Sequence, residues 1–325
     1  MNTPIWDFVN EYANSDLSRL HMPGHKGKGP LGFEKYDITE FDGADSLFHA
    51  DGIIKESEEN ASRIFNTGST VFSCEGSSLS IRAMLHLAFI NKEEWQGDYL
   101  LATRNAHSSL SSSSALIGFD IMWLTSGEHL SCNITANDIE NTLRRVDKMP
   151  FGVYVTSPDY LGNILDIEGI SQVCKKYNVP LLVDNAHGAY LKFLKEDCHP
   201  ISLGANMCCD SAHKTLPVLT GGGYLHIAKG QDKYVKNAKS AMALYASTSP
   251  SYLILASLDL CNRYLASDFK KDLENICGIC DKLKSKLFNL GYRVIGEEKT
   301  KITIATNSYG YYGCNDYYLC RNNFY

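Results

Sequence analysis

The stretch Pro180-Leu181-Leu182-Val183-Asp184-Asn185-Ala186-His187-Gly188 runs from a short apolar segment straight into an acid, an amide, a histidine and a glycine. An uninterrupted apolar run of this length, ended by polar residues and glycine, reads as a strand buried on both faces, the kind found in helix-covered parallel sheets. Four more runs outward from it have the same character: Thr70-Val71-Phe72-Ser73, Tyr99-Leu100-Leu101-Ala102, Ile121-Met122-Trp123-Leu124 and Val153-Tyr154-Val155-Thr156. Between them, residues 80–90, 136–146 and 169–177 place apolar side chains at helical spacing, and Thr135 with Asp138 forms an N-terminal capping pair. The alternation predicts an α/β fold with a mostly parallel sheet and helices on both faces.

The flanks read differently. Gly24, Gly27, Gly29, Gly32 and Gly43 break any periodicity in residues 1–50, which are expected to form an N-terminal arm ahead of a large domain at 51–250. From Ser251 two long helical patterns run to about Leu290, and Lys301-Ile302-Thr303-Ile304-Ala305 restarts a strand. Residues 251–325 are therefore expected to be a helical connection and an incomplete small C-terminal domain, ending in a stretch with Tyr309, Tyr311, Tyr312, Tyr317 and Tyr318.

Composition narrows the class. A chain of 325 residues, 44% hydrophobic, can bury one large core and a smaller one. Its formal charge of −6 argues against nucleic acid or an anionic membrane as partner. The first residues lack a signal-peptide pattern and no apolar run is long enough to span a bilayer, so a soluble cytoplasmic protein is expected. Eleven cysteines, an odd number including adjacent Cys208 and Cys209, suit a reducing compartment. Cys277-Gly278-Ile279-Cys280 has redox or zinc spacing, but it lies in a helical pattern without a second pair, and no metal site is expected.

In a parallel sheet, ligands gather beyond the carboxyl ends of the strands. Four such positions form a set. Glu75-Gly76-Ser77-Ser78 opens a helix and can present backbone N–H groups and hydroxyls to a phosphate. His107 follows the second strand and could stack on a flat ring. Asp184 ends a buried strand, where a carboxylate calls for a cation such as a protonated ring nitrogen. Lys214 sits between apolar runs beside Ser211 and His213, and burial next to His213 would favour its free amine. A cofactor with a phosphate, an aromatic ring, a ring nitrogen and an aldehyde uses all four positions, which describes pyridoxal 5'-phosphate (PLP). Gly24-His25-Lys26-Gly27-Lys28-Gly29 is no nucleotide-binding loop, because no Ser or Thr follows a lysine after the last glycine.

These residues resemble the Orn/Lys/Arg decarboxylases of the fold-type-I PLP enzymes, members of the aspartate aminotransferase superfamily. Leu20-His21-Met22-Pro23-Gly24-His25-Lys26-Gly27 is similar to that family's N-terminal signature, and Ser211-Ala212-His213-Lys214-Thr215-Leu216-Pro217 to its Schiff-base motif. The likeness extends through residues 104–109, 156–162, 183–188 and 247–252. It implies a PLP-dependent transferase-like large domain, with Lys214 binding PLP, Asp184 paired with the pyridine nitrogen and His107 stacked on the ring. Gly76, Ser77, Ser78, Ser211 and His213 would hold the phosphate, with Ala186 and His187 beside the cofactor. It also implies decarboxylation of arginine, lysine or ornithine, a role in polyamine metabolism, and a homodimer in which residues 247–252 reach the neighbouring active site. Lys214 or His107 would return a proton to the product, and Glu40, Asp42, Asp45 and Asp51 are candidates to meet a cationic substrate. Glu75-Gly76-Ser77-Ser78 departs mildly from the family's usual Asn-Gly-Ser/Thr-Thr. A different type-I PLP reaction such as transamination, or a PLP-binding but inactive paralogue, fits many of the same residues.

Overall fold

The computed structural model describes residues 1–126 and 131–306, together with the backbone of 317–320. Seven strands form the main sheet: β1 (Ser69–Ser73), β2 (Tyr99–Thr103), β3 (Asp120–Leu124), β4 (Val153–Thr156), β5 (Leu181–Asp184), β6 (Met207–Asp210) and β7 (Gly223–Ile227). Their order is β1-β7-β6-β5-β4-β2-β3. From β3 to β6 all neighbours are parallel, whereas β7 runs antiparallel to both β6 and β1. All five strands expected from sequence are present. The two that sequence reading did not assign, β6 and β7, are short and include Asp210 and His226, polar residues that blur an apolar run.

Helices cover the sheet: α1 (Pro4–Ala13), α2 (Ile53–Phe65), α3 (Gly76–Ile90), α4 (Ser108–Ile117), α5 (Ala136–Leu143), α6 (Ile167–Lys176), α7 (Ala212–Thr215), α8 (Asp232–Val235), α9 (Ala238–Ala243), α10 (Tyr252–Leu265) and α11 (Phe269–Asn289). The period-two geometry of the strands explains the continuous apolar runs. Leu100, Tyr154, Leu182 and Cys209 pack on the α3 side, while Leu101, Val153, Val155, Val183 and Cys208 pack against α5 and α6. Asp184 shares the parity of Leu182, so it emerges on the α3 side. The Thr135–Asp138 pair is a complete capping box at the start of α5.

Within residues 1–50 the structure contains a helix that the glycine-rich pattern concealed. Ile5 and Val9 of α1 are fully buried in one core with Phe65, Phe72, Tyr224 and Leu255. Asp259 of α10 fixes this helix by accepting from the N–H groups of Ile5 (2.9 Å) and Trp6 (3.0 Å) and from the Ser57 hydroxyl (2.6 Å). Asp259→Ala would orphan three buried donors, and we expect it to cost about 2 kcal/mol, read as a lower urea midpoint with unchanged slope.

The acidic stretch has local work that sequence could not reveal. Asp45 accepts from the N–H groups of Ser46, Asp51, Gly52 and Ile54 at the start of α2, and Glu40 accepts from Ser46 and Leu47. Past α11, β8 (Val294–Ile295), β9 (Ile302–Ala305) and β10 (Tyr317–Cys320) form an antiparallel sheet ordered β10-β9-β8. Tyr317 and Tyr318 begin β10, while Tyr309, Tyr311 and Tyr312 lie outside the described residues. The nine cysteines with described side chains are free thiols. Among the described residues no helix is long and apolar enough to cross a membrane.

Candidate active site

Beyond the carboxyl ends of β1, β2, β4, β5 and β6 lies a cavity of about 420 Å³. Every expected site residue lines it: Gly76, Ser77, Ser78, His107, Asp184, Ala186, His187, Ser211, His213 and Lys214. Glu40, Asp42, Asp45 and Asp51 do not. The strand-end rule thus brings together residues up to 138 positions apart, from Gly76 to Lys214, because each ends a strand or lies in the turn or first helical turn that follows one.

Asp184 is 2% exposed. Its Oδ2 accepts from the Tyr154 hydroxyl at 3.0 Å and its Oδ1 from the Ala186 N–H at 3.1 Å. Among the described residues no cationic nitrogen lies within 4.0 Å of it. Burial pushes its carboxyl above the ordinary range, and those two hydrogen bonds together with the charges of Lys214 and His107 draw it part of the way back. A carboxylate held by neutral donors only, facing a cavity, is a receptor for a cation.

Lys214 lies on the short helix α7, where its Nζ is 3.2 Å from His187 Nε2. The expectation that His213 would be the lysine's neighbour is corrected here. Adjacent residues on a helix diverge by about 100°, and His213 turns away so that its Nδ1 lies 2.9 Å from the Gly222 carbonyl. The histidine that meets the lysine is 27 residues earlier in the chain, at the end of β5.

The opposite wall is polar. α3 begins at Gly76, whose φ of +67° favours glycine and whose N–H donates to the Gly221 carbonyl at 2.6 Å. The next N–H groups of the helix have no acceptor within the first turn, and the Ser211 and Ser77 hydroxyls meet at 2.7 Å beside them. Ser109 links Ser78 to His107: its hydroxyl donates to Ser78 at 3.1 Å, and its N–H donates to His107 Nδ1 at 3.2 Å. That N–H makes Nδ1 the accepting nitrogen, so the neutral form of the ring carries its proton on Nε2, and the exposed ring stands at the cavity mouth.

Beneath the site, Asp210 accepts from Asn185, His199 and His226 (2.6, 3.2 and 3.2 Å). Burial alone would raise its carboxyl, but the two imidazoles hold it well below the carboxylate range. This network ties β5, β6 and β7 together and brings Cys208 Sγ to 3.9 Å from His199. Cys277 and Cys280 lie half-buried along α11, apart from the cavity.

Sequence reading missed Asn105, Thr156, Tyr160, Thr220 and Gly221 on the cavity wall. Thr156 ends β4 and Asn105 follows β2, so the same rule could have found both; Thr220 and Gly221 precede β7, whose antiparallel direction was not foreseen. The Asn105 Oδ1 and Thr156 Oγ1 atoms are buried without a hydrogen-bond partner. Orphaned polar atoms, an anion cradle at a helix N-terminus, a cation-seeking carboxylate and a primary amine around one cavity fit the donor set that PLP requires.

The comparisons agree with this chemistry. Residues 3–290 match the family model for the major domain of the Orn/Lys/Arg decarboxylases. The chain is 30% identical to the uncharacterised protein YaaO of Bacillus subtilis, covering 94% of this chain and 67% of that protein. It is 28% identical to the arginine decarboxylase of Bacillus anthracis, covering 94% and 64%. Among solved structures, the Francisella novicida lysine decarboxylase LdcF superposes with a TM-score of 0.75 at 18% identity, over 93% of this chain and 51% of that one. The chain thus spans about two thirds of the length of these curated relatives and about half that of the solved decarboxylase. With its matched residues running from the first helix to the end of α11, the chain belongs to the Orn/Lys/Arg decarboxylase family, whose members are PLP-dependent.

Proposed function

We propose that this protein decarboxylates a basic amino acid, arginine, lysine or ornithine, with PLP held on Lys214. The observation that supports the reading is the joint placement of the buried Asp184 carboxylate, the Lys214 amine and the Ser77–Ser211 hydroxyl pair around one cavity. The basic substrate class comes from the relatives named arginine, ornithine and lysine decarboxylase. When bound, the cofactor supplies a conjugated ring that accepts the electron pair left on the α-carbon as CO2 departs.

The chain's own residues prepare that event. Asp184 would keep a proton on the ring nitrogen, and that cation would relieve the cost of its own burial. Gly76, Ser77, Ser78, Ser211 and His213 would hold the phosphate with the N-terminus of α3, with Ala186 beside the cofactor. His107, at the cavity mouth, would shield it from water. Lys214 Nζ and His107 Nε2 are the groups able to return a proton to the α-carbon. Ser211→Ala should weaken PLP affinity roughly tenfold with little change in kcat, as measured by cofactor titration.

A homodimer working in a reducing cytoplasm completes the proposal; the free thiols and the family resemblance support it. The test is to supply PLP and each of the three amino acids and to quantify CO2 and amine. Equal amounts of both from one or more substrates are expected. A keto acid without CO2 would replace the reading with transamination, and no product from any of the three would reject it.

A further inference from the structure

We propose that Lys301 and Glu298 are positioning residues for Lys214: acting through His187, they hold the Lys214 amine in its neutral, nucleophilic form. The inference rests on Lys214 being the cofactor lysine and adds the groups that set its protonation. His187 stands between two lysines. Its Nε2 is 3.2 Å from Lys214 Nζ, and its Nδ1 is 3.5 Å from Lys301 Nζ. Lys301 in turn pairs with Glu298 at 2.8 Å, with side chains only 8% and 2% exposed.

This segment is fastened over the site. The N–H groups of Glu297 and Glu298 donate to the Gly162 carbonyl at 2.7 and 2.9 Å, and the Thr303 hydroxyl donates to the Leu161 carbonyl at 3.0 Å. The buried ion pair is pinned to the loop after β4 with one end against a cavity histidine.

Counting protons gives it a role. An ammonium has three donors and no acceptor, and a neutral imidazole has one of each. Lys301, paired with a carboxylate, can only donate to Nδ1. The ring proton then resides on Nε2 and needs an acceptor. Lys214 Nζ can accept it only as a free amine with its lone pair, since an ammonium there would set N–H against N–H.

Among the described residues, other charges also face this group. Asp184 at the end of β5 attracts the ammonium form of Lys214, and His107 lies across the cavity. Asp159 from the loop after β4 and Lys284 from α11 act on Glu298, and the Tyr160 and His187 rings meet edge to face. Against Asp184, the His187 relay tips the lysine toward the amine.

The experiment measures cofactor capture rather than turnover. PLP is added to full-length apo-protein over a range of pH, and the second-order rate is followed by visible absorbance; the amine nitrogen adds to the aldehyde carbon and water leaves, so only the free amine reacts. Lys301→Met should raise the pH midpoint of capture by about one unit, roughly a tenfold loss of free amine near neutrality. Lys301→Arg should stay near wild type. In a His187→Phe background, Lys301→Met should add little, because the ring that transmits the effect is gone. An unchanged midpoint in Lys301→Met, or an equal shift with and without His187, overturns the proposal, the latter by showing that charge alone acts.

Should Lys301→Met fail to fold by circular dichroism, His187→Phe alone decides. It must raise the midpoint, whereas a lowered or unchanged one refutes the relay. Borohydride trapping and peptide mapping separate the two levels of the argument: capture elsewhere than Lys214 defeats the site assignment, and capture at Lys214 with an unshifted midpoint defeats only the relay.

Discussion

Lys214→Ala is expected to lower kcat/KM for decarboxylation by about a thousandfold or more, in a protein that still folds. The side chain is half-buried on a four-residue helix whose backbone bonds do not involve it, so the substitution leaves β6, β7 and the Asp210 network in place. With the proposed role of Lys214, what disappears is the covalent hold on the cofactor and one of two groups able to return a proton. PLP should still bind through the phosphate cradle, with an absorption spectrum typical of the free aldehyde. Steady-state kinetics and the visible spectrum check both halves. Near-normal turnover with the cofactor covalently attached would mean that another lysine does the work.

Asp184→Asn separates catalysis from stability in opposite directions. An amide has no charge to hold a proton on the ring nitrogen, and kcat should fall roughly a hundredfold to a thousandfold. In the apo-protein, however, the native carboxylate is buried among neutral donors, and burial raises its pKa. A group whose folded pKa lies above its unfolded one binds its proton more tightly when folded. The apo-protein therefore loses stability as pH rises from the ordinary carboxylate value through the raised one. The asparagine variant should lack that loss and match or exceed wild-type apo stability at neutral pH. Thermal melts of both apo-proteins at acid and neutral pH, set beside their kinetics, test the pair of predictions. A variant that is both less stable and fully active would assign Asp184 to the scaffold.

Much of this architecture was legible because its strands are buried on both faces. Val153-Tyr154-Val155 and Leu181-Leu182-Val183 carry that fact in their composition, and the residues just after such runs fall at one edge of the sheet. That logic found Asp184, His107 and the Gly76–Ser78 turn. It failed where the signal was not local. The α1 helix depends on Asp259, more than 250 residues away, for its N-terminal hydrogen bonds. Strand β7 hides its period behind His226, whose polarity is satisfied by Asp210 and Thr70. The neighbour of Lys214 was misjudged because adjacency in sequence was taken for adjacency in space, and on a helix the two differ. Lys301 was invisible for a related reason: only the folded chain brings it against the loop after β4 and the cavity histidine His187.

We propose Lys214 as the residue to which PLP becomes attached. Borohydride reduction of the protein with PLP, followed by proteolysis and mass spectrometry of the fluorescent peptide, tests it without assuming a substrate. A single stoichiometric pyridoxyl adduct on Lys214 is expected. Reduction that leaves Lys214 unmodified, or places the adduct on another lysine, would contradict it.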